Sequence, residues 1–368
     1  MSALTHLRLK NFRSYADWAV SDISPDFVVL TGANGVGKTN ILEAVSLFSP
    51  GKGMRSADFA DLQNRVVPDG PWALSAQIAT PYGAIRIGTG RDPVKEKRVV
   101  HIQGEPVKSQ TQLAEYLACL WLTPQMDRLF IDAASSRRKF LDRMVFHFDS
   151  GHAGRMTRYE NAMAQRSRLL KEGRGSDAWL DALEIQMAES GVAVAAARAQ
   201  FVERLQAVCR MRESEAFPVA MLALAGVLEG HIAHVPALQI EEEFRQRLRQ
   251  SREEDSVYGG AAQGPHKTDF LVTYAAKSMP AAQCSTGEQK ALLIGLVLAH
   301  ADLIRMERGA PPILLLDEVA AHLDPHRRAV LYDVLARIGG QVWMTGTDAM
   351  LFEALANKGT HLYLSNGM

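Results

Sequence analysis

Gly32-Ala33-Asn34-Gly35-Val36-Gly37-Lys38-Thr39 reads G-x-x-x-x-G-K-T, and its flanks decide the fold. Before it, Phe27-Val28-Val29-Leu30 is an unbroken apolar run, as a parallel strand buried on both faces requires. After it, Ile41 to Phe48 has helical texture. Strand, glycine-rich loop and helix in this order make a phosphate-binding loop. The glycines let backbone N–H groups converge on an anion at the positive end of a helix. Lys38 adds a point charge suited to β- and γ-phosphates, and the Thr39 hydroxyl suits Mg²⁺.

Further along, Ile313-Leu314-Leu315-Leu316 is a second buried strand that ends in Asp317-Glu318. An acid at that position suits Mg²⁺ beside Thr39, and Glu318 can polarise a water. Ser285-Thr286-Gly287-Glu288-Gln289 opens a long helix, Thr286 to Arg308, with a hydroxyl, a glycine and free N–H groups at its N-terminus. Ser285 to Glu288 also fits the capping box S-x-x-E, and the two readings are compatible. Leu323-Asp324-Pro325 starts the next helix, Pro325 to Ile338, and Gln341 to Thr345 is a strand. Gln125, after Pro124, is a further candidate for Mg²⁺ or water.

The two ends of the chain share this texture, and the middle differs. Leu4 to Leu9 alternates with period two, and Trp72 to Ala79, Ala84 to Gly88 and Lys97 to Ile102 read as strands separated by turn signals. From Ser135 the pattern is helical. Leu180, Met187, Val194, Phe201 and Val208 recur every seven residues, as in a helical hairpin. Glu241 to Asp255 reads as a charged helix, and Gly259, Gly260 and Gly264-Pro265 mark a boundary. The expected architecture is an α/β head built from both chain ends (1–125 and 265–368), with a mainly helical arm domain, 126–264, inserted.

Lys and Arg number 41, as do Asp and Glu, so any nucleic-acid binding must come from local clusters. One cluster stands out. Residues 135–175 hold ten cations against four acids, and Arg137, Arg138, Lys139 and Arg143 at its start are the candidate DNA contacts. The longest apolar run, Ala291 to Ala299, is too short to span a bilayer, and no secretory signal is read. Cys119, Cys209 and Cys284 are far apart, which suits a reducing cytoplasm rather than a disulfide framework. His231 and His234 lack zinc-completing neighbours, and Asn357-Lys358-Gly359-Thr360 lacks the acid of a guanine-reading motif.

These motifs in this order, split by a helical insertion, resemble the ABC-type P-loop ATPases of the SMC family, nearest to its recombination mediators. Leu7-Arg8-Leu9-Lys10-Asn11-Phe12-Arg13-Ser14-Tyr15, Ser136-Arg137-Arg138-Lys139-Phe140-Leu141-Asp142 and Gly264-Pro265-His266 carry the resemblance further. It implies an ATPase head that binds ATP and Mg²⁺, with Gly32, Ala33, Asn34, Gly35, Val36, Gly37, Lys38, Thr39, Asn40 and Arg13 on the nucleotide. Thr39, Asp317 and Gln125 would serve the metal, Glu318 catalysis, and Asp324 the D-loop. Ser285 to Gln289 would cover the γ-phosphate of a second copy in trans. The implied protein is a cytoplasmic DNA repair, replication-restart and SOS-response factor with slow ATP turnover. It would dimerise with ATP on single-stranded, duplex or gapped DNA, beside RecR and RecO. The alternative, the nucleotide-binding subunit of a membrane transporter, calls for a switch histidine where this chain has Thr345-Gly346-Thr347.

Overall fold

A computed structural model of the chain describes residues 2–66, 70–80, 82–173, 176–212 and 216–365. Its first elements are β1 (Ala3–Phe12), β2 (Tyr15–Ser21), β3 (Phe27–Thr31), α1 (Lys38–Ser46), β4 (Ala73–Thr80), β5 (Gly83–Arg91), β6 (Arg98–Ile102), β7 (Glu105–Pro106) and β8 (Cys119–Leu122). Then come α2 (Ala134–Phe146), α3 (His152–Glu172), α4 (Asp177–Met211), β9 (Ala220–Ala225), α5 (Glu229–Ile232), α6 (Ala237–Gln250) and α7 (Arg252–Tyr258). The chain continues through β10 (Asp269–Tyr274), β11 (Met279–Pro280), α8 (Thr286–Arg308), β12 (Ile313–Leu316), α9 (Pro325–Ile338), β13 (Val342–Gly346) and β14 (Gly359–Tyr363). It packs as two compact units. One is Met1–Asp127, Glu215–Phe217 and Leu293–Met368; the other is Arg128–Ser214 and Pro218–Leu292.

In the first unit a parallel sheet has the order β14-β3-β13-β12-β8. Every residue of β3, β8, β12 and β13 is buried, which is why these strands are continuous apolar runs. Leu316 lies opposite Met344, and Met344 opposite Val29. Asp317, Thr345 and the loop after β3 therefore leave the sheet at one carboxyl edge, the place where open α/β sheets bind ligands. A second, antiparallel sheet has the order β2-β1-β4-β5-β6-β7. Leu4, Leu7 and Leu9 of β1 share one core with Val28, Leu30, Ile41, Val45, Leu315 and Trp343. Gln341, fully buried, fastens the two sheets. Its amide accepts from Leu4 N–H (2.9 Å) and donates to the carbonyls of Leu4 (2.9 Å) and Ser24 (2.7 Å).

The second unit is helical around α4, whose seam Leu180, Met187, Val194, Phe201 and Val208 is wholly buried. Tyr159 and Ala162 of α3 and Ile240, Phe244 and Leu248 of α6 close the core over its first half. The seam thus belongs to a packed helical unit. The expected helix Glu241 to Asp255 is two helices, α6 and α7, meeting at Ser251.

This unit also holds a sheet, β11-β10-β9, that its sequence does not advertise. Ala220-Met221-Leu222-Ala223-Leu224-Ala225 is built of helix formers, yet it pairs antiparallel with β10, Leu224 opposite Phe270. Tertiary pairing overrides propensity here. It also moves the expected boundary at 264/265. Because β10 takes its partner from the insertion, residues 265–292 pack with the helices, and the chain returns to the first unit at Leu293, inside α8. No helix among the described residues is long and apolar enough to cross a membrane.

Candidate nucleotide site and signature segment

The loop after β3 needs its glycines. Gly32, Gly35 and Gly37 have φ of 146°, 86° and 100°, where a side chain is strained. A Cβ on Gly37 would also lie 2.6 Å from the Tyr15 hydroxyl and 2.8 Å from Ser14 Oγ. The β1–β2 hairpin therefore braces the loop. Lys38 is nearly buried, and its Nζ donates to the carbonyls of Gly32 (2.7 Å) and Ala33 (2.9 Å) in its own loop. Burial lowers its pKa, and the charges of Glu318 and Asp317 oppose that shift.

One carboxylate oxygen organises the edge. Asp317 Oδ1 accepts from Thr39 Oγ1 at 3.0 Å and from Thr345 Oγ1 at 2.8 Å. Thr345 Oγ1 in turn accepts from the Glu318 N–H at 2.9 Å. Burial pushes the Asp317 pKa up, and the two hydroxyls hold it back. Glu318 has a left-handed backbone (φ 55°), an uncommon setting for a non-glycine residue that marks functional turns. It stays half-buried while Asp317 is nearly sealed. Gln125 is exposed just past β8, the strand beside β12, at this same edge.

Two of the expected nucleotide contacts are engaged elsewhere. Arg13, at φ 50°, places Nε and Nη2 on the buried Glu43 of α1 (2.8 and 2.7 Å) and Nη1 on the Asp61 carbonyl. Its guanidinium fork therefore fastens the hairpin turn to α1. Asn40 donates from Nδ2 to Ser14 Oγ (2.9 Å) and accepts from Arg55 Nη1 (2.9 Å). Arg55 also reaches Glu43 at 3.3 Å, and its charge lowers the Asp317 pKa.

The signature segment is a capping box at the head of α8. Glu288 Oε2 accepts from the Ser285 N–H (2.9 Å) and from Ser285 Oγ (2.8 Å), while Lys277 bonds Glu288 Oε1. Ser285, Thr286 and Gly287 are exposed; Gln289 is buried and donates to the Cys284 carbonyl (2.9 Å). Asp324 caps α9, accepting from the Arg327 N–H at 2.9 Å, with Pro325 in the first turn.

The basic stretch is largely committed to internal bonds, Arg137 and Arg138 among them. Arg137 forks onto Asp269 (2.7 and 2.9 Å), and Arg138 donates to the Thr268 carbonyl (2.8 Å). Arg143 lies over the Phe140 ring. Arg166 is fully buried between Glu184 (2.8 Å) and Asp255 (2.7 Å), and Arg155 pairs with Asp149. Lys139, Arg158 and Lys171 are exposed; Arg174 lies outside the described residues. The motif around Gly264-Pro265-His266 serves the same packing. His266 Nε2 meets the Ala261 carbonyl, leaving Nδ1 to accept from the Tyr159 hydroxyl at 2.7 Å.

A family model described as the RecF/RecN/SMC N terminal domain matches residues 3–363. The DNA replication and repair protein RecF of Mesorhizobium japonicum is 47% identical over 373 residues, covering 100% of this chain and 98% of that protein. The chain belongs to the RecF family. RecF of Brucella suis biovar 1 is 48% identical over 99% of this chain and 95% of its own length. Among solved structures, the recombination mediator RecF-ATP of the RecFOR pathway shares the fold with a TM-score of 0.86 at 22% identity, covering 100% of this chain and 96% of that one. The Smc head domain of Pyrococcus furiosus aligns with a TM-score of 0.53 at 16% identity, over 96% and 91% of the two chains.

Within this RecF-family chain, the structure brings Lys38, Thr39, Asp317, Glu318 and Thr345 to one sheet edge. Arg55, Glu43 and Lys277 escape sequence reading. Arg55 and Lys277 sit in Lys52-Gly53-Met54-Arg55 and Ala275-Ala276-Lys277, which match no motif, and Glu43 reads as an ordinary helical acid. The sequence signal for Thr345 is Thr345-Gly346-Thr347 at the end of the strand that starts at Gln341, where a transporter ATPase has its switch histidine.

Proposed function

We propose that this RecF-family protein binds ATP with Mg²⁺, pairs with a second copy through ATP, and engages DNA in replication and recombinational repair. The observation that carries the reading is the Asp317 oxygen shared by Thr39 and Thr345, directly before Glu318. Mg²⁺ sheds water reluctantly and is held by one or two protein oxygens plus phosphates, so it needs no cage of acids. The Thr39 hydroxyl and Asp317 carboxylate fit that pattern. When bound, Mg²⁺ neutralises charge on β- and γ-phosphate oxygens.

The chain's own groups divide the remaining work. Loop N–H groups and Lys38 hold the phosphates, with Lys38 exchanging two carbonyls for them. Glu318, in its strained turn, takes a proton from attacking water. Ser285, Thr286 and Gly287 are exposed for the γ-phosphate of a second copy, and hydrolysis serves as a slow release switch. For DNA, Lys139, Arg158, Arg168 and Lys171 are the exposed cations among the described residues of the 135–175 stretch, Arg168 with Glu172 beside it. RecR and RecO are the proposed protein partners in recombinase loading, and the cytoplasm the proposed location. The transporter alternative falls away, because relatives matched over nearly their full length are named for DNA replication and repair.

Sedimentation with and without ATP, alone and on single-stranded, duplex and gapped DNA, tests the reading. The expected result is an ATP-dependent dimer with tighter, steeply salt-sensitive DNA binding, lost with Ser285→Arg while ATP binding survives. A monomer under all conditions, or no DNA binding at low salt, overturns it.

A further inference from the structure

Lys277 reaches the signature segment from a separate element. After β10, residues Ala275–Lys277 form one tight turn, and Ser278 takes a left-handed backbone (φ 49°), so the chain doubles back into β11. The reversal puts the Lys277 ammonium on Glu288 Oε1, with Nζ 5.5 Å from the centre of the Tyr274 ring. The other oxygen, Oε2, is the one that holds both Ser285 Oγ and Ser285 N–H. One carboxylate thus fixes the serine on one side and carries a lysine on the other.

That carboxylate poses a difficulty for the trans contact proposed above. Any phosphate docking on Ser285 to Gly287 comes within one side chain's length of a negative charge. Glu288, like any carboxyl at its ordinary 4.5, is ionised at physiological pH, and Lys277 and the two Ser285 bonds lower its pKa further, to about 2. A carboxylate in the first turn also competes for the positive end of the helix that would otherwise serve the phosphate. A capping box alone would order Ser285 and repel its ligand.

We infer that Lys277 is a positioning residue of the trans site, its ammonium offsetting the Glu288 charge so that the capping box orders Ser285 without repelling the partner copy's γ-phosphate. The inference rests on the ATP-driven pairing proposed above.

The test measures ATP-driven dimerisation of the full chain by analytical ultracentrifugation, with ATP binding to dilute monomer measured separately. Lys277→Ala is expected to weaken dimerisation roughly tenfold per site, the scale of one uncompensated charge several ångströms from a phosphate at a protein surface. Lys277→Arg should stay near wild type. The deciding variant is Lys277→Ala with Glu288→Gln, which keeps the capping-box hydrogen bonds but removes the charge; it should recover most of the loss. Monomer ATP affinity should be equal in all of them. Unchanged dimerisation in Lys277→Ala overturns the inference. So does a loss that the double variant fails to recover, since the lysine would then only brace the turn. Wild-type protein that stays monomeric with ATP overturns the pairing reading itself, and is told apart by failing before any Lys277 variant is compared.

Discussion

Lys38, at the carboxyl edge of the parallel sheet, and the cations around α2, α3 and α4 are held in opposite ways. Lys38 rests on two neutral carbonyls of its own loop. Arg166 is locked between Glu184 and Asp255, and Arg137 is forked onto Asp269. A charge held by peptide dipoles can be drawn to an incoming anion at small cost. A charge held by buried carboxylates cannot, because leaving strands the partner and costs several kcal/mol. The first arrangement suits a binding site, and the second a scaffold.

The largest expected effect tests the first half of this contrast. Lys38→Ala should take ATP affinity below detection in a fluorescent-nucleotide titration, with the melting temperature nearly unchanged. A folded variant with normal affinity would remove the phosphate-loop assignment. The second half is tested by Arg166→Met, which leaves Glu184 and Asp255 without this partner. A loss of about 3–5 kcal/mol in urea unfolding is expected; a loss within experimental error would erase the distinction between site and scaffold.

Smaller effects sharpen the sheet edge. Glu318→Gln keeps the shape but cannot take a proton, so hydrolysis should fall roughly hundredfold or more while ATP still binds and the dimer accumulates. Near-normal phosphate release would exclude Glu318 as the base. Thr345→Val removes one donor from Asp317 and the acceptor of the Glu318 N–H. About 1–2 kcal/mol of stability should be lost, with weaker Mg²⁺-dependent ATP binding and ATP binding without metal unaffected.

The smallest effect is a titration. The Glu288 carboxyl lies below its ordinary 4.5, at about 2, chiefly through Lys277 and then Ser285. A depressed carboxyl pKa stabilises the fold above its ordinary value. Its contribution is therefore complete above about pH 4.5 and is lost as pH falls toward 2. Carboxyl NMR shifts should follow that window, and Lys277→Ala should move it upward.

The contrast also explains what could be read from the letters. The phosphate loop, Asp317-Glu318 and Ser285 to Gln289 are contiguous, and each element's chemistry is contained within a few residues. Several boundaries follow as well: α8, β12 and α9 run as their patterns predict, because apolar runs and a proline at the first helical turn are local signals. The cations fail as evidence because their partners are remote. Arg137 is 132 positions from Asp269, and Arg166 is 89 from Asp255, so a window of ten cations against four acids looks less compensated than it is. Strand β9 is hidden for a related reason, since its only β signal is the pairing with β10.

The sheet order carries a consequence for how the protein is made. Strand β3, buried at every position and feeding the phosphate loop, lies between β13 and β14, which the ribosome delivers long after it. At about 5–20 residues per second, Phe27-Val28-Val29-Leu30-Thr31 waits on the order of tens of seconds for both neighbours. The Arg128–Leu292 unit draws its helices and its sheet from residues synthesised in between, so it can fold during that interval. The nascent chain therefore carries an uncovered apolar strand while that unit is already folded. A chaperone that shields these five residues would protect the whole nucleotide site until β13 and β14 are made.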